Sequence, residues 1–108
     1  NHLSNFKMLQ QSWLYERDSE KTSIEFTLDC KNLIIVYIIS DSDRYGDAEL
    51  YIDGVKVETL SAYRINSWDH AQAHILTLDD KVEEHFIKFK MQKGEENRIF
   101  SLLNIGYC

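Results

Sequence analysis

The sequence predicts an all-β fold, an antiparallel sandwich of about eight strands around one core. Three observations carry that prediction. Residues 33–39 (LIIVYII) form an unbroken apolar run, mostly β-branched, and far shorter than the roughly 20 residues that cross a bilayer as a helix. Ile24, Phe26, Leu28 and Cys30 alternate with Glu25, Thr27 and Asp29, the period of two that marks a half-buried strand. Turn formers then interrupt the apolar stretches at short, regular intervals, among them the pair Asp53-Gly54. Both residues accept the positive φ of a two-residue hairpin turn.

Length and composition bound the rest. A chain of 108 residues with 44% hydrophobic and 12% aromatic side chains makes one domain with one core. The formal net charge of −6 argues against nucleic acid as a partner, because a nucleic-acid binder presents a basic face. An anionic membrane surface is disfavoured for the same reason. No signal peptide, transmembrane run or basic amphipathic helix is visible. The chain opens at Asn1 without a methionine and reads as a piece of a longer protein or a processed product. Its compartment, extracellular or cytoplasmic, then follows that of the parent.

Taken in order, residues 1–11 read as a linker or edge segment. Phe6, Leu9 and Trp13 are spaced as a helical stripe, whereas residues 12–15 read as an edge strand. Residues 16–22 are a polar loop, and residues 23–30 the first long strand. A tight turn at Cys30-Lys31-Asn32 leads into the central strand. Leu33, Ile35, Tyr37 and Ile39 face one way there, and Ile34, Val36 and Ile38 the other. Both sets are apolar, so the strand is expected to be covered on both faces. Residues 41–46 are a loop dense in turn formers. Residues 47–53 carry Ala48, Leu50 and Ile52 on one face, and Val55, Val57 and Thr59 continue on the return strand. Residues 61–71 form the longest loop. A strand follows with His74, Leu76 and Leu78 on one face, then an acidic connection at 79–84 with room for one helical turn. Residues 85–91 alternate again, a turn forms around Gly94, and the last strand lies within 98–107.

If consecutive strands run antiparallel, loops 16–22, 41–46, 61–71 and 93–96 share one end. The short connections share the other. Long polar loops on a rigid scaffold are where binding residues concentrate. Tyr45, Tyr63 and Trp68 lie in these loops with Asp43, Arg44, Arg64, Asn66 and Asp69. Aromatic faces of this kind stack on sugar rings, and the polar neighbours suit hydroxyl groups in a wet, shallow site. The alternative is that Trp68 caps the end of the core and the tyrosines merely lie on the surface.

Asp41, Asp43 and Asp47, with Gly46, resemble half of a calcium loop. Tyr45 stands where a further oxygen ligand belongs and Ile52 where the bidentate glutamate belongs, so a plain acidic hairpin loop and no cofactor are expected, with a sandwich-type structural calcium site as the alternative. The histidines are scattered, and His85 reads as an oriented packing residue. No nucleophile elbow, phosphate-cradling loop or carboxylate pair is present, so no independent active site is expected. The alternation brings Cys30 and Cys108 to the short-loop end. Two free thiols are expected there, with a bridge as the alternative.

From about Trp13 to Cys108 the chain resembles the β-sandwich accessory domains joined to SGNH (GDSL-type) hydrolases, including those of two-domain carbohydrate esterases. SIEFTLDCKNLIIVYI matches the early strand pair and ELYIDGVKVETL the strand, Asp-Gly, strand hairpin. Trp68, EEHFIKFK and RIFSLLNIGY follow in the expected order. The resemblance implies an all-β, antiparallel jelly-roll-like β-sandwich. It implies a non-catalytic module beside a hydrolase catalytic domain in the same chain, with polysaccharide or oligosaccharide as the other partner. The rival expectation is a structural module that packs on the catalytic domain or mediates oligomerisation without binding sugar. Exposed-looking Phe86 supports that rival.

Overall fold

A computed structural model describes residues 6–9 and 11–108. Nine strands follow one another: β1 (Lys7–Leu9), β2 (Trp13–Tyr15), β3 (Ser23–Cys30), β4 (Asn32–Ile39), β5 (Asp47–Ile52), β6 (Val55–Ser61), β7 (His70–Thr77), β8 (Glu83–Met91) and β9 (Phe100–Tyr107). There is no helix among the described residues, so the stripe of Phe6, Leu9 and Trp13 is extended rather than coiled, and the 79–84 connection makes no helical turn. Two antiparallel sheets pack face to face. One has the order β1-β9-β4-β7, with β2 also on β9, and the other has the order β3-β8-β5-β6. From β2 onward, every connection crosses between the sheets except the β5–β6 hairpin, the pattern of a jelly roll. β1 and β2 flank β9 in succession, at Lys7↔Tyr107 and at Trp13↔Leu102, as one interrupted edge strand.

The core lies between the sheets. Leu33, Ile35 and Ile39 of β4 are fully buried against Ala48 and Leu50 of β5, Ile87 and Phe89 of β8, and Phe100, Leu102 and Ile105 of β9. Burying one such side chain contributes ~1.5–3 kcal/mol before entropy is subtracted. The end of the core under the long loops is closed by aromatics. Trp13 packs on Tyr15 and Phe100, and Tyr37 stacks on Phe100 with ring centroids 5.4 Å apart. Trp13 Nε1–H donates to the Lys21 carbonyl and Tyr15 O–H to the Glu96 carbonyl, which anchors two long loops to the core.

Two sequence expectations change. β4 is central in its sheet but covered on one face only: Ile34, Val36 and Ile38 are half-buried, and no described element lies over them. A second sheet satisfies one face of a strand, and there is no third layer here for the other. On β6, Val55 and Val57 are exposed and Leu60 is the buried residue. A register shift opposite Leu50 and Tyr51 turns the strand there, and β6 is an edge.

The Asp-Gly turn forms as its residues require, with φ of 53° at Asp53 and 84° at Gly54. Cys30 and Cys108 meet the same short-loop end as free thiols. The Cys108 carbonyl accepts from the Lys31 and Asn32 amides there.

Candidate functional site

The long loops do share one end. β2–β3, β4–β5 and β8–β9 connections surround an open groove of about 570 Å³ lined by Glu16, Arg17, Asp18, Asp43, Arg44, Gly94, Asn97, Arg98 and Ile99. The groove is held by a lattice of main-chain bonds. Ile99 N–H donates to Arg44 O, and Gly46 N–H to Ile99 O. Gly46 is required by a close approach: a Cβ there would stand 2.7 Å from Arg98 Cβ. Arg98 lies across that glycine, donates Nε–H to Glu95 Oε2 at 3.2 Å, and donates its terminal N–H to the Asp43 carbonyl. The other Glu95 oxygen accepts from the Asp47 amide. Among the described residues Arg17 and Arg44 make no ion pair. Their guanidinium donors remain available, beside three carboxylates, for hydroxyl or carboxylate groups of a ligand.

The sequence-derived candidates fall into two groups. Asp43 and Arg44 line this groove. Tyr45 sits behind it, half-buried against the core and bridged to Ile99, so its ring is not a free stacking face. Tyr63, Arg64, Asn66, Trp68 and Asp69 belong to the β6–β7 loop, which adjoins the β4–β5 loop through buried Ser40. Ser40 Oγ–H donates to Asp69 Oδ1 at 2.6 Å, Ser40 Oγ accepts from Ser42 N–H, and Ser40 pairs with Tyr63. Asn66 turns the loop in the left-handed region, with φ of 62°. Trp68 is 76% exposed and therefore does not cap the core, a role that Trp13 and Tyr15 fill. Tyr63 is more than one-third exposed, and Ile65 beside it is also open to solvent.

Asp41, Asp43 and Asp47 are not gathered into a ligand set. Among the described residues no group of three or more His, Cys, Asp and Glu side chains is placed to hold a metal. Asp47 lies half-buried beside Ser61, Glu95 and Arg98, and burial first, then the Glu95 charge, raises its carboxyl above the ordinary value. Glu16, Arg17, Asp18, Asn97 and Arg98 were not singled out by the sequence. Glu16, Arg17 and Asp18 had only their membership of a loop assigned to that end, and Asn97 and Arg98 lay just past the 93–96 loop, Arg98 at the start of the expected last strand.

No protein-family model matches the chain, and no curated protein matches it in sequence. Among solved structures it is similar to a cycloisomaltooligosaccharide glucanotransferase from Paenibacillus sp., determined in complex with cycloisomaltoheptaose. The TM-score is 0.53 and the identity 14%, over 95% of this chain and 17% of that one. A likeness at that identity is a likeness of fold. The chain is an all-β sandwich with a carbohydrate-active enzyme among its structural neighbours.

Proposed function

We propose that this domain is a non-catalytic accessory module of a carbohydrate-active enzyme, binding glycan weakly at its long-loop end without a metal. The observation that carries the reading is Trp68, a large aromatic surface held open to solvent on a loop whose base is fixed by the Ser40–Asp69 bond. Leaving such a ring in water is unfavourable, and a sugar face covers it at low entropic cost. The groove around Arg17, Asp43, Arg44 and Asn97, at the same end of the sandwich, supplies hydroxyl partners. The oligosaccharide bound to the structural neighbour supports a sugar as ligand class. The parent that the sequence resemblance adds is an SGNH-type hydrolase, and the fold comparison bears only on the broader, carbohydrate-active reading. The net charge of −6 argues against nucleic acid and anionic membrane as partners.

Titration calorimetry with fragments of xylan, glucomannan, pectin and isomalto-oligosaccharides tests the reading. Iodide quenching isolates Trp68, since Trp13 is buried. Binding heat that disappears in Trp68→Ala, and quenching that ligand relieves, are the expected results. Silence with every glycan overturns the proposal. A second reading, an interaction module that binds no sugar, is favoured by one observation: the outer face of the sheet containing β4 is apolar, and no described residue packs over it.

A further inference from the structure

The outer faces of the two sheets differ in kind. On the four-stranded sheet, Glu25 pairs with Lys88, Glu49 with Lys56, and Lys90 lies over the Tyr51 ring. The other outer face carries no charge among the described residues. The pairings place Met8, Gly106, Ile34 and Ile75 in one row across it. Asn104, Val36 and Ala73 form the next row, and Leu14 and Ser101, Ile38 and Ala71 lie beyond. Leu103 stands out at the bulge in β9, where the register with β4 shifts. In a chain that is 28% charged, a whole sheet face without an ionic group marks an interaction surface.

We propose that this face docks a second copy of the same chain, in a twofold-symmetric, sheet-on-sheet dimer. The proposal gives the interaction reading its surface and its partner, and it stands whether or not glycan binds elsewhere. Three features favour a second copy. The first is shape. One side of the face is a ridge, where Met8 and Leu14 are each 58% exposed and Leu103 also protrudes. The other side is low where β7 presents Ala71 and Ala73, and rises only at Ile75, 55% exposed. A twofold axis parallel to the strands sets Leu14 of one copy over the partner's Ala71, and lays β9, with Leu103, over the partner's β4. A surface that complements itself under rotation is what an isologous interface requires.

The second feature is charge. Two chains of net charge −6 repel, and the uncharged face is the one where no like charges meet at contact distance. The third is area. Four strand positions at ~4.8 Å spacing and eight residues at ~3.3 Å rise give about 500 Å² per copy. Two copies would remove about 1,000 Å², the lower bound for a specific interface. The same face offers little to a sugar: it has no aromatic ring, and its polar groups are few.

Light scattering after size exclusion, together with equilibrium sedimentation from low micromolar to several hundred micromolar chain, tests the dimer. A concentration-dependent dimer is expected. Ala73→Arg and Leu14→Arg each place two charges in the symmetric interface and are expected to weaken it by ~100-fold or more. Phe86→Ser, on the opposite sheet, should leave the dimer constant unchanged. Both arginine sites are exposed, so thermal melts of these variants should show a folded protein. A monomer at every concentration overturns the proposal. So does a dimer that persists in both arginine variants, since it would then use another surface. Glycan titration reads a separate site, so failure there leaves this result intact.

Discussion

His85 Nδ1 lies 2.6 Å from Asp53 Oδ2, joining the turn between β5 and β6 to the start of β8. The second Asp53 oxygen accepts from the Phe86 amide at 2.9 Å, and Asp53 N–H donates to the Phe86 carbonyl. An ionised carboxylate can only accept, so the imidazole Nδ1 carries the proton in this contact. Its Nε2 is 3.8 Å from Asp79 Oδ2, within ion-pair range but beyond a hydrogen bond. The tight turn is thus fastened by a side chain as well as by its own backbone.

The fastening makes stability depend on pH with a definite sign. The Phe86 amide first, and then His85, hold the Asp53 carboxyl below its ordinary 3.8. A carboxyl lowered in the folded state contributes stability above its unfolded value, and that contribution is lost as pH falls through the folded value. Asp53→Asn keeps a residue that accepts left-handed backbone and removes the charge. It is expected to lower the urea midpoint at neutral pH and to converge on the parent in strong acid. Asp47 carries the opposite sign, because burial and Glu95 raise its carboxyl. Asp47→Asn is expected to raise the midpoint at neutral pH and to lose that advantage in acid. Urea melts across the acid range check both, and parallel behaviour of the two variants contradicts the assignment.

Gly54→Val is expected to be destabilising through backbone alone. A Cβ at Gly54 meets nothing within 4 Å, but φ there is 84°. A side chain held in the left-handed region costs about 1–2 kcal/mol, and a β-branched one is among the least tolerant. Thermal melts measure it. An unchanged Tm contradicts the turn geometry, since no steric contact is available to explain a loss.

Adjacent residues of β4 separate the covered face from the open one. Ile35 is fully buried between the sheets, whereas Val36 is half-buried on the outer face. Ile35→Ala should cost about 2–4 kcal/mol through a cavity. Val36→Ala in the monomer should cost about 1 kcal/mol or less, since little packing is lost on an uncovered face. Glu25→Ala, which loses only an exposed contact 3.5 Å from Lys88, should change stability by less than about 0.5 kcal/mol. Equal costs at 35 and 36 would mean that something covers both faces.

Why some of this was legible in sequence follows from periodicity. Ile24, Leu28, Ile35, Leu50, Ile87 and Phe89 fell on the buried side because a period of two fixes which residues share a face. Loop alternation grouped the long loops at one end without any side-chain information. Val36 was misread because an apolar run says that a surface prefers burial, not whether this chain supplies the cover. Trp13 and Tyr15, read only as an edge strand, close the core because β9 brings Phe100 to them. Arg98 enters the groove through contacts with Gly46 and Glu95 that no spacing rule encodes.

The cysteines give the last prediction. Burial first, then Cys108, Asp29 and Asp53, push the Cys30 thiol up to about 11. At neutral pH it is protonated and out of reach of solvent, so it is a poor nucleophile on both counts. Cys108 is half-buried at the chain end, its sulfur accepting from Asn32 Nδ2–H at 3.3 Å. Ellman's reagent on native protein should therefore titrate Cys108 alone on the fast timescale, with the second thiol appearing only on unfolding. Cys108→Ser should abolish the fast phase and Cys30→Ser should leave it. The raised thiol also sets a sign at alkaline pH. The unfolded chain releases this proton near 9.0 while the folded chain retains it to about 11, so stability should fall as pH rises from about 9, and Cys30→Ala should flatten that slope, leaving the share of Tyr37, whose hydroxyl burial also raises. Denatured, unreduced protein that yields no thiols would instead reveal a Cys30–Cys108 bridge.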